Sequence, residues 1–163
     1  IDISRRPAGK MRLSMINAHS GDRMTPQQIA LVRSSFADVS PIADSAGKLF
    51  YSRLFELDSG LRPLFRSSLE SQGSKLMNML AAAVCLLDQP EKLMPVIRNL
   101  GRRHAGYGIE ERHYDTVGAA LLWSLEKCLG AAFSPEVENA WAAVYAALAT
   151  TMQHAAEEML EPA

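Results

Sequence analysis

The chain has 163 residues, 48% of them apolar and 21% charged, a balance that suits one globular domain with a single core. A net charge of −1 leaves no electrostatic footprint for nucleic acid or an anionic membrane, and no apolar run reaches the roughly 18 residues of a bilayer span. The N-terminus lacks the apolar stretch and cleavage site of a secretory signal, so a cytoplasmic setting is expected.

Residues 1–23 mix Arg, Pro, Gly and Ser with little periodicity and are expected to form a loosely ordered extension. The folded domain, expected over residues 24–160, opens at MTPQQIALV. There Thr25 is a natural N-cap, Pro26 suits the first helical position and Gln28 completes a capping box. Ser40-Pro41 starts a second helix through Leu57, and DSG breaks it. The turn LRPLF leads to a longer helix near residues 69–88. Pro90 and Pro95 punctuate the entry to the next helix, which ends at Gly106. Another is expected from about Glu110 to Leu129, and Ser134-Pro135-Glu136 caps a last long helix toward Glu158. Alternating β-branched runs and Asn-Gly turns are lacking, so the class is all-α.

The helix faces carry the functional signal. Leu69, Gln72, Leu76, Leu80, Ala83 and Leu87 recur at three- and four-residue steps, and an amide interrupts that apolar stripe. Gly73 stands beside Gln72, and Gly47 lies one turn before Tyr51 on the second helix. Two helices that each offer a glycine can cross backbone to backbone, which brings Tyr51 and Gln72 toward one space. On the following helix Val96, Leu100 and His104 step by four, and the helix then ends at glycines in LGRRHAGYGI. A lone histidine on an apolar face is more often a satisfied structural residue, and each feature alone is weak. Together they describe an apolar slot with an imidazole on one wall and a phenol with an amide on another.

Other chemistries find no support. His19, His104, His113 and His154 show no spacing for a zinc or non-haem iron site, and no nucleophile triad or phosphate loop stands out. Cys85 and Cys128 sit in apolar helical patterns and are expected to be small buried hydrophobes, as suits a reducing compartment. Trp123 and Trp141 are expected in the core or in helix packing. A single imidazole on a large apolar slot fits a cofactor that brings its own metal, as haem does.

In the blocks LFYSRLFEL, LRPLF, QGSKLMNML, LGRRHAGYGI, HYDTVGAALL and LEKCLGAAFSPEVENAWAAVY the chain resembles bacterial single-domain globins. It is similar to the globin part of flavohaemoglobins and to neuroglobin-like chains, over most of residues 25–153. The resemblance implies a globin fold, six to eight helices in a 3-over-3 sandwich around haem b (iron protoporphyrin IX). His104 then matches the proximal ligand of haem iron, and Phe65 the phenylalanine that wedges the haem. Tyr51, Gln72 and Leu76 match the distal phenol, amide and aliphatic gate. Tyr114 matches the tyrosine flanking the proximal side, and Ile109 and Val117 are expected to line the haem. Lys75 and Arg103 are candidates for pairing with its propionates, solvated surface charge being the alternative for both. One departure concerns the glutamate that flavohaemoglobins place near the proximal imidazole. The matching place is Ala156, with Glu157 one residue away.

The implied function is tight binding of O2, and also of NO and CO, through hydrogen bonds from Tyr51 and Gln72. Flavohaemoglobins continue into FAD and NAD modules beyond the point where this sequence ends. Nitric oxide dioxygenation therefore calls for a separate reductase as partner. Reversible gas capture without turnover, and a gas-sensing module of a signalling system, are the alternatives.

Overall fold

A computed structural model describes residues 24–65, 68–106 and 109–160. The expected N-terminal extension at residues 1–23 lies outside them. Thr25 opens the first helix, α1 (Pro26–Val39): its Oγ1 accepts the Gln28 N–H at 3.1 Å while Gln28 Oε1 accepts the Thr25 N–H at 3.0 Å. This reciprocal pair satisfies two of the donors that a helix start leaves without partners. A 3-10 turn, Ser40–Ile42, leads directly into α2 (Ala43–Leu57), so the proline marks the turn and the α-helix starts after it. Asp58 ends α2 and caps a second 3-10 turn, Ser59–Leu64. Then come α3 (Leu69–Cys85), α4 (Pro90–Gly106) and α5 (Glu111–Leu129). A third 3-10 turn, Gly130–Ala132, leads to α6 (Pro135–Leu160). Among the described residues the class is all-α, with six α-helices and no strand, and no helix is long and apolar enough to cross a membrane.

Besides the start of α2, two further boundaries differ from the sequence expectation. Helix α3 stops at Cys85, three residues early, because Arg33 of α1 takes its terminal carbonyls: Nε donates to Val84 at 3.2 Å and Nη2 to Cys85 at 2.8 Å. Arg33 also reaches Asp88 at 2.9 Å. Pro95 lies inside α4, one turn beyond its first residue, Pro90. Cys85 is exposed at the end of α3, against the expectation of burial, and Cys128 is only half-buried.

The core is built around Val32, Val39, Leu54, Ile97 and Trp141, all nearly inaccessible. Trp141 joins α6 to α1 by donating from Nε1 to Ser35 Oγ at 2.8 Å, which removes the cost of a buried indole N–H. Trp123 is not a core residue. It lies half-exposed, with Arg53 at 5.1 Å and Lys127 at 5.4 Å from its ring centre, an arrangement that favours cation–π attraction.

Packing partners matter most for the site. Helix α3 packs on α2 and α1, whereas α4 packs on α6. The consecutive helices α3 and α4 thus attach to different parts of the body.

Candidate functional site

The glycines read from the sequence do set a close crossing. A Cβ on Gly47 would sit 2.9 Å from the Gly73 Cα and one on Gly73 3.3 Å from the Gly47 Cα, so α2 and α3 meet with no room for a side chain at Gly47 and little at Gly73. One turn after Gly47, Tyr51 is buried, with 6% of its surface exposed. Its ring meets Phe65 edge-on at 5.3 Å and Phe50 at 4.8 Å, and Phe55 completes the aromatic group at 6.0 Å. Burial pushes the Tyr51 phenol up to about 12, so it keeps its proton and remains a donor through the neutral range.

Gln72 is half-buried beside the crossing, and Leu76 is half-buried one turn further along α3. The inner line of α3 is a different one: Gly73, Met77, Leu80 and Val84 are buried. Gln72 and Leu76 therefore stand on the flank of the helix between core and solvent. The core side of Leu76 is filled. A cavity of about 10 Å³ remains there, with Phe50, Met77, Leu121, Ser124 and Cys128 among its walls. That is room for about one water molecule. Lys75 is exposed on the outer side of α3.

Helix α4 repeats this division. Leu93, Ile97 and Gly101 are buried, and a Cβ on Gly101 would lie 2.4 Å from the Met152 carbonyl oxygen of α6. The neighbouring line is less covered: Val96 is 48% exposed, and Leu100 and His104 are half-buried. His104 Nδ1 lies 2.8 Å from the Leu100 carbonyl oxygen. A carbonyl can only accept, so Nδ1 donates, and the ring's lone pair belongs to Nε2. Burial lowers the His104 pKa, with the Leu100 bond opposing it, which favours the neutral imidazole. After α4 the Ile109 N–H returns to the His104 carbonyl at 3.4 Å, so Ile109 is tied to the histidine's own backbone.

On α5, Tyr114 is buried and Val117 half-buried. Tyr145 of α6 donates from its hydroxyl to the Tyr114 carbonyl at 2.5 Å, and its ring fills the space that a Cβ on Gly118 would occupy. Arg103 is exposed. On α6, Ala156 is half-buried and Glu157 is exposed, while the next residue, Glu158, pairs with Arg98 at 3.4 Å. Sequence reasoning gave no role to Asp58, Arg112 and His113, which meet at the junction of α2 and α5. The Glu110–His113 spacing was their one sequence signal, and it reads as a helix start.

The described residues hold no group of three or more His, Cys, Asp or Glu side chains placed to bind a metal ion. The arrangement instead offers one imidazole whose Nδ1 is bonded to a backbone carbonyl, which puts the ring's basic lone pair on Nε2. It adds a buried phenol on a separate helix pair, and partly exposed apolar side chains on α3, α4 and α5.

Residues 48–152 match the Globin family model. The chain is 32% identical over 130 residues to the flavohemoprotein of Bordetella parapertussis, an overlap covering 77% of this chain and 32% of that protein. Likeness of the same degree holds to the flavohemoprotein of Bordetella bronchiseptica. That of Bacillus subtilis is 28% identical over 138 residues, covering 83% of this chain and 35% of the relative. The chain spans about a third of the length of these curated relatives.

Proposed function

This chain belongs to the globin family, and on that footing we propose that it binds haem b through His104 and captures O2, NO and CO, holding O2 tightly. The observation that carries the reading is the His104 ring, whose Nδ1 is committed to the Leu100 carbonyl. With the ring proton on Nδ1, the basic lone pair a metal ligand needs belongs to Nε2. The surroundings fit a flat apolar group: Phe65, Leu76, Leu100, Ile109 and Val117 are each left partly uncovered. A cofactor on the outer side of Leu76 would remove that apolar surface from water. Lys75 and Arg103 suit the propionates, each pair worth at most about 1 kcal/mol in solvent.

Haem held by His104 would supply an iron able to take a diatomic gas. Tyr51 is the proposed principal donor to that gas, because its phenol stays protonated, and Gln72 offers an amide N–H beside it. A hydrogen bond to a polarised ligand in a dry pocket contributes about 1–1.5 kcal/mol, close to tenfold in affinity. Leu76 serves as the aliphatic gate and Phe65 as the wedge, held by its ring contacts with Tyr51 and Phe55. Tyr114 supports the side of His104. The proximal carboxylate of the related family has no counterpart in this reading: Glu157 is exposed, and the Leu100 carbonyl holds Nδ1.

The proposed enzymatic use is nitric oxide dioxygenation, in which NO, O2 and one electron give nitrate. The electron would come from a reductase. Purified protein should show a Soret band, and Tyr51→Phe should speed O2 release about tenfold in stopped-flow while leaving CO binding nearly unchanged. An O2 release rate identical to the parent would overturn the role given to Tyr51. Steady-state NO consumption with a supplied electron donor separates the dioxygenase from a carrier, which would stop after one turnover.

A further inference from the structure

Three side chains join the corner after α2 to the start of α5. Asp58 Oδ1 accepts the Gly60 N–H at 3.0 Å and so caps the 3-10 turn that ends at Phe65. Its other oxygen receives Arg112 Nη1 at 3.3 Å and faces His113 Nε2 at 3.9 Å. His113 is 5% exposed, and its Nδ1 accepts the Glu110 N–H at 2.9 Å. Because Nδ1 accepts, the ring proton sits on Nε2, on the side of the Asp58 carboxylate. Arg112 also reaches Glu110 at 3.5 Å, which orients its guanidinium along the same corner.

The two segments so joined lead to two sets of residues that the haem reading assigns to the cofactor. From Asp58 the chain runs through the short turn, pinned by the buried Leu61, to Phe65. From Glu110 it is one residue back to Ile109, whose N–H is bonded to the His104 carbonyl. We propose that Asp58 and His113 form a clasp that fixes the spacing between the Phe65 turn and the Ile109–His104 corner, and thereby positions both on the haem. The inference rests on the haem reading above. Both are positioning residues, since they act through Phe65, Ile109 and His104. A buried imidazole is suited to the task because one ring faces both segments, accepting the Glu110 N–H on one edge and turning Nε2 toward the Asp58 carboxylate, 3.9 Å away, on the other. A leucine of similar bulk keeps the packing and loses both.

The test compares His113→Leu, His113→Gln and Asp58→Asn in the haem-loaded protein. Ser35→Ala serves as a control that removes the remote Trp141–Ser35 bond. The readouts are the rate of haem loss to an acceptor protein and the iron–histidine stretching frequency of the ferrous form. His113→Leu is expected to lose haem roughly tenfold faster, with a shifted stretch, and Asp58→Asn to change both in the same direction. His113→Gln is expected to recover parent behaviour, because its amide can accept the Glu110 N–H at oxygen and turn its N–H groups toward Asp58. Ser35→Ala is expected to lower the melting temperature and leave both readouts unmoved. Parent-like haem loss and frequency in both His113→Leu and Asp58→Asn overturn the clasp. So does an equal change in Ser35→Ala, which would make the effect one of general stability. A parent protein without a Soret band overturns the haem reading itself.

Discussion

Gly101→Ala puts the placement of His104 to a steric test. The added Cβ would lie 2.4 Å from the Met152 carbonyl oxygen and 2.7 Å from its Cα, against ordinary contact from 3.4 Å. All the nearest atoms are backbone, so no side chain can swing aside, and α4 must move off α6 by about 1 Å. Alanine gains about 1 kcal/mol of helix propensity over glycine, whereas overpacking costs about 1–3 kcal/mol. The expected balance is a loss of up to about 2 kcal/mol, at about 2–4 °C of melting temperature per kcal/mol in a domain of this size. His104 stands three residues further along the same helix, so it moves with α4. The haem spectrum and haem retention should therefore change along with stability. Gly106→Ala is the matched control, since a Cβ there meets nothing within 4 Å. It should be neutral or slightly stabilising, with the parent spectrum. Thermal melts and absorption spectra of the two variants decide the matter. A Gly101→Ala protein as stable as the parent, with unaltered haem bands, would refute the argument that the α4–α6 crossing positions the histidine.

Gly47→Ala should part α2 from α3 and destabilise by up to about 2 kcal/mol, read by chemical denaturation, and should speed O2 release by shifting Tyr51 relative to Gln72. Thr25→Ala breaks the capping box and should cost about 0.5–2 kcal/mol in the same assay without changing the haem spectrum. The Tyr51 phenol is raised in the folded state to about 12 from a reference of 10.0. Its contribution to stability is therefore fully present below pH 10 and is lost as pH rises through 12. Melting temperatures followed from pH 9 upward should fall less steeply in Tyr51→Phe. The fall should be blunted rather than abolished, because burial raises Tyr114 and Tyr145 as well.

Much of the fold was legible because its signals are local. Thr25, Pro26 and Gln28 act within one turn, and the structure bonds them as a capping box should. The Gly47–Gly73 crossing was legible for a related reason: a glycine within a helix pays a propensity penalty that only close packing offsets. The end of α3 was not legible, because Arg33 stops it from 51 residues away. Cys85 was misread as buried because an apolar sequence pattern does not say which flank of a helix its neighbours leave open. The same limit applied to the stripe of α3, whose buried line runs through Gly73 and Met77 rather than Gln72 and Leu76. That shift of one flank is informative, since residues read as core turn out to stand at its edge, where a ligand can reach them. At the site, the families of motifs gave His104, Tyr51 and Gln72 as candidates. The Leu100 contact that fixes the imidazole tautomer had no signature beyond four-residue spacing. Asp58 and His113 escaped notice because their meeting depends on the tertiary path of two loops.

The most direct measurement is the ferrous spectrum of His104→Gly, taken before and after adding free imidazole. Glycine in place of the imidazole removes the one nitrogen assigned to the iron and opens space for a replacement. The spectrum should lose its five-coordinate histidine character and the iron–histidine stretch, and millimolar imidazole should restore both. If His104→Gly keeps the parent spectrum with no imidazole present, another residue holds the iron and the assignments on both walls of the pocket fall with it.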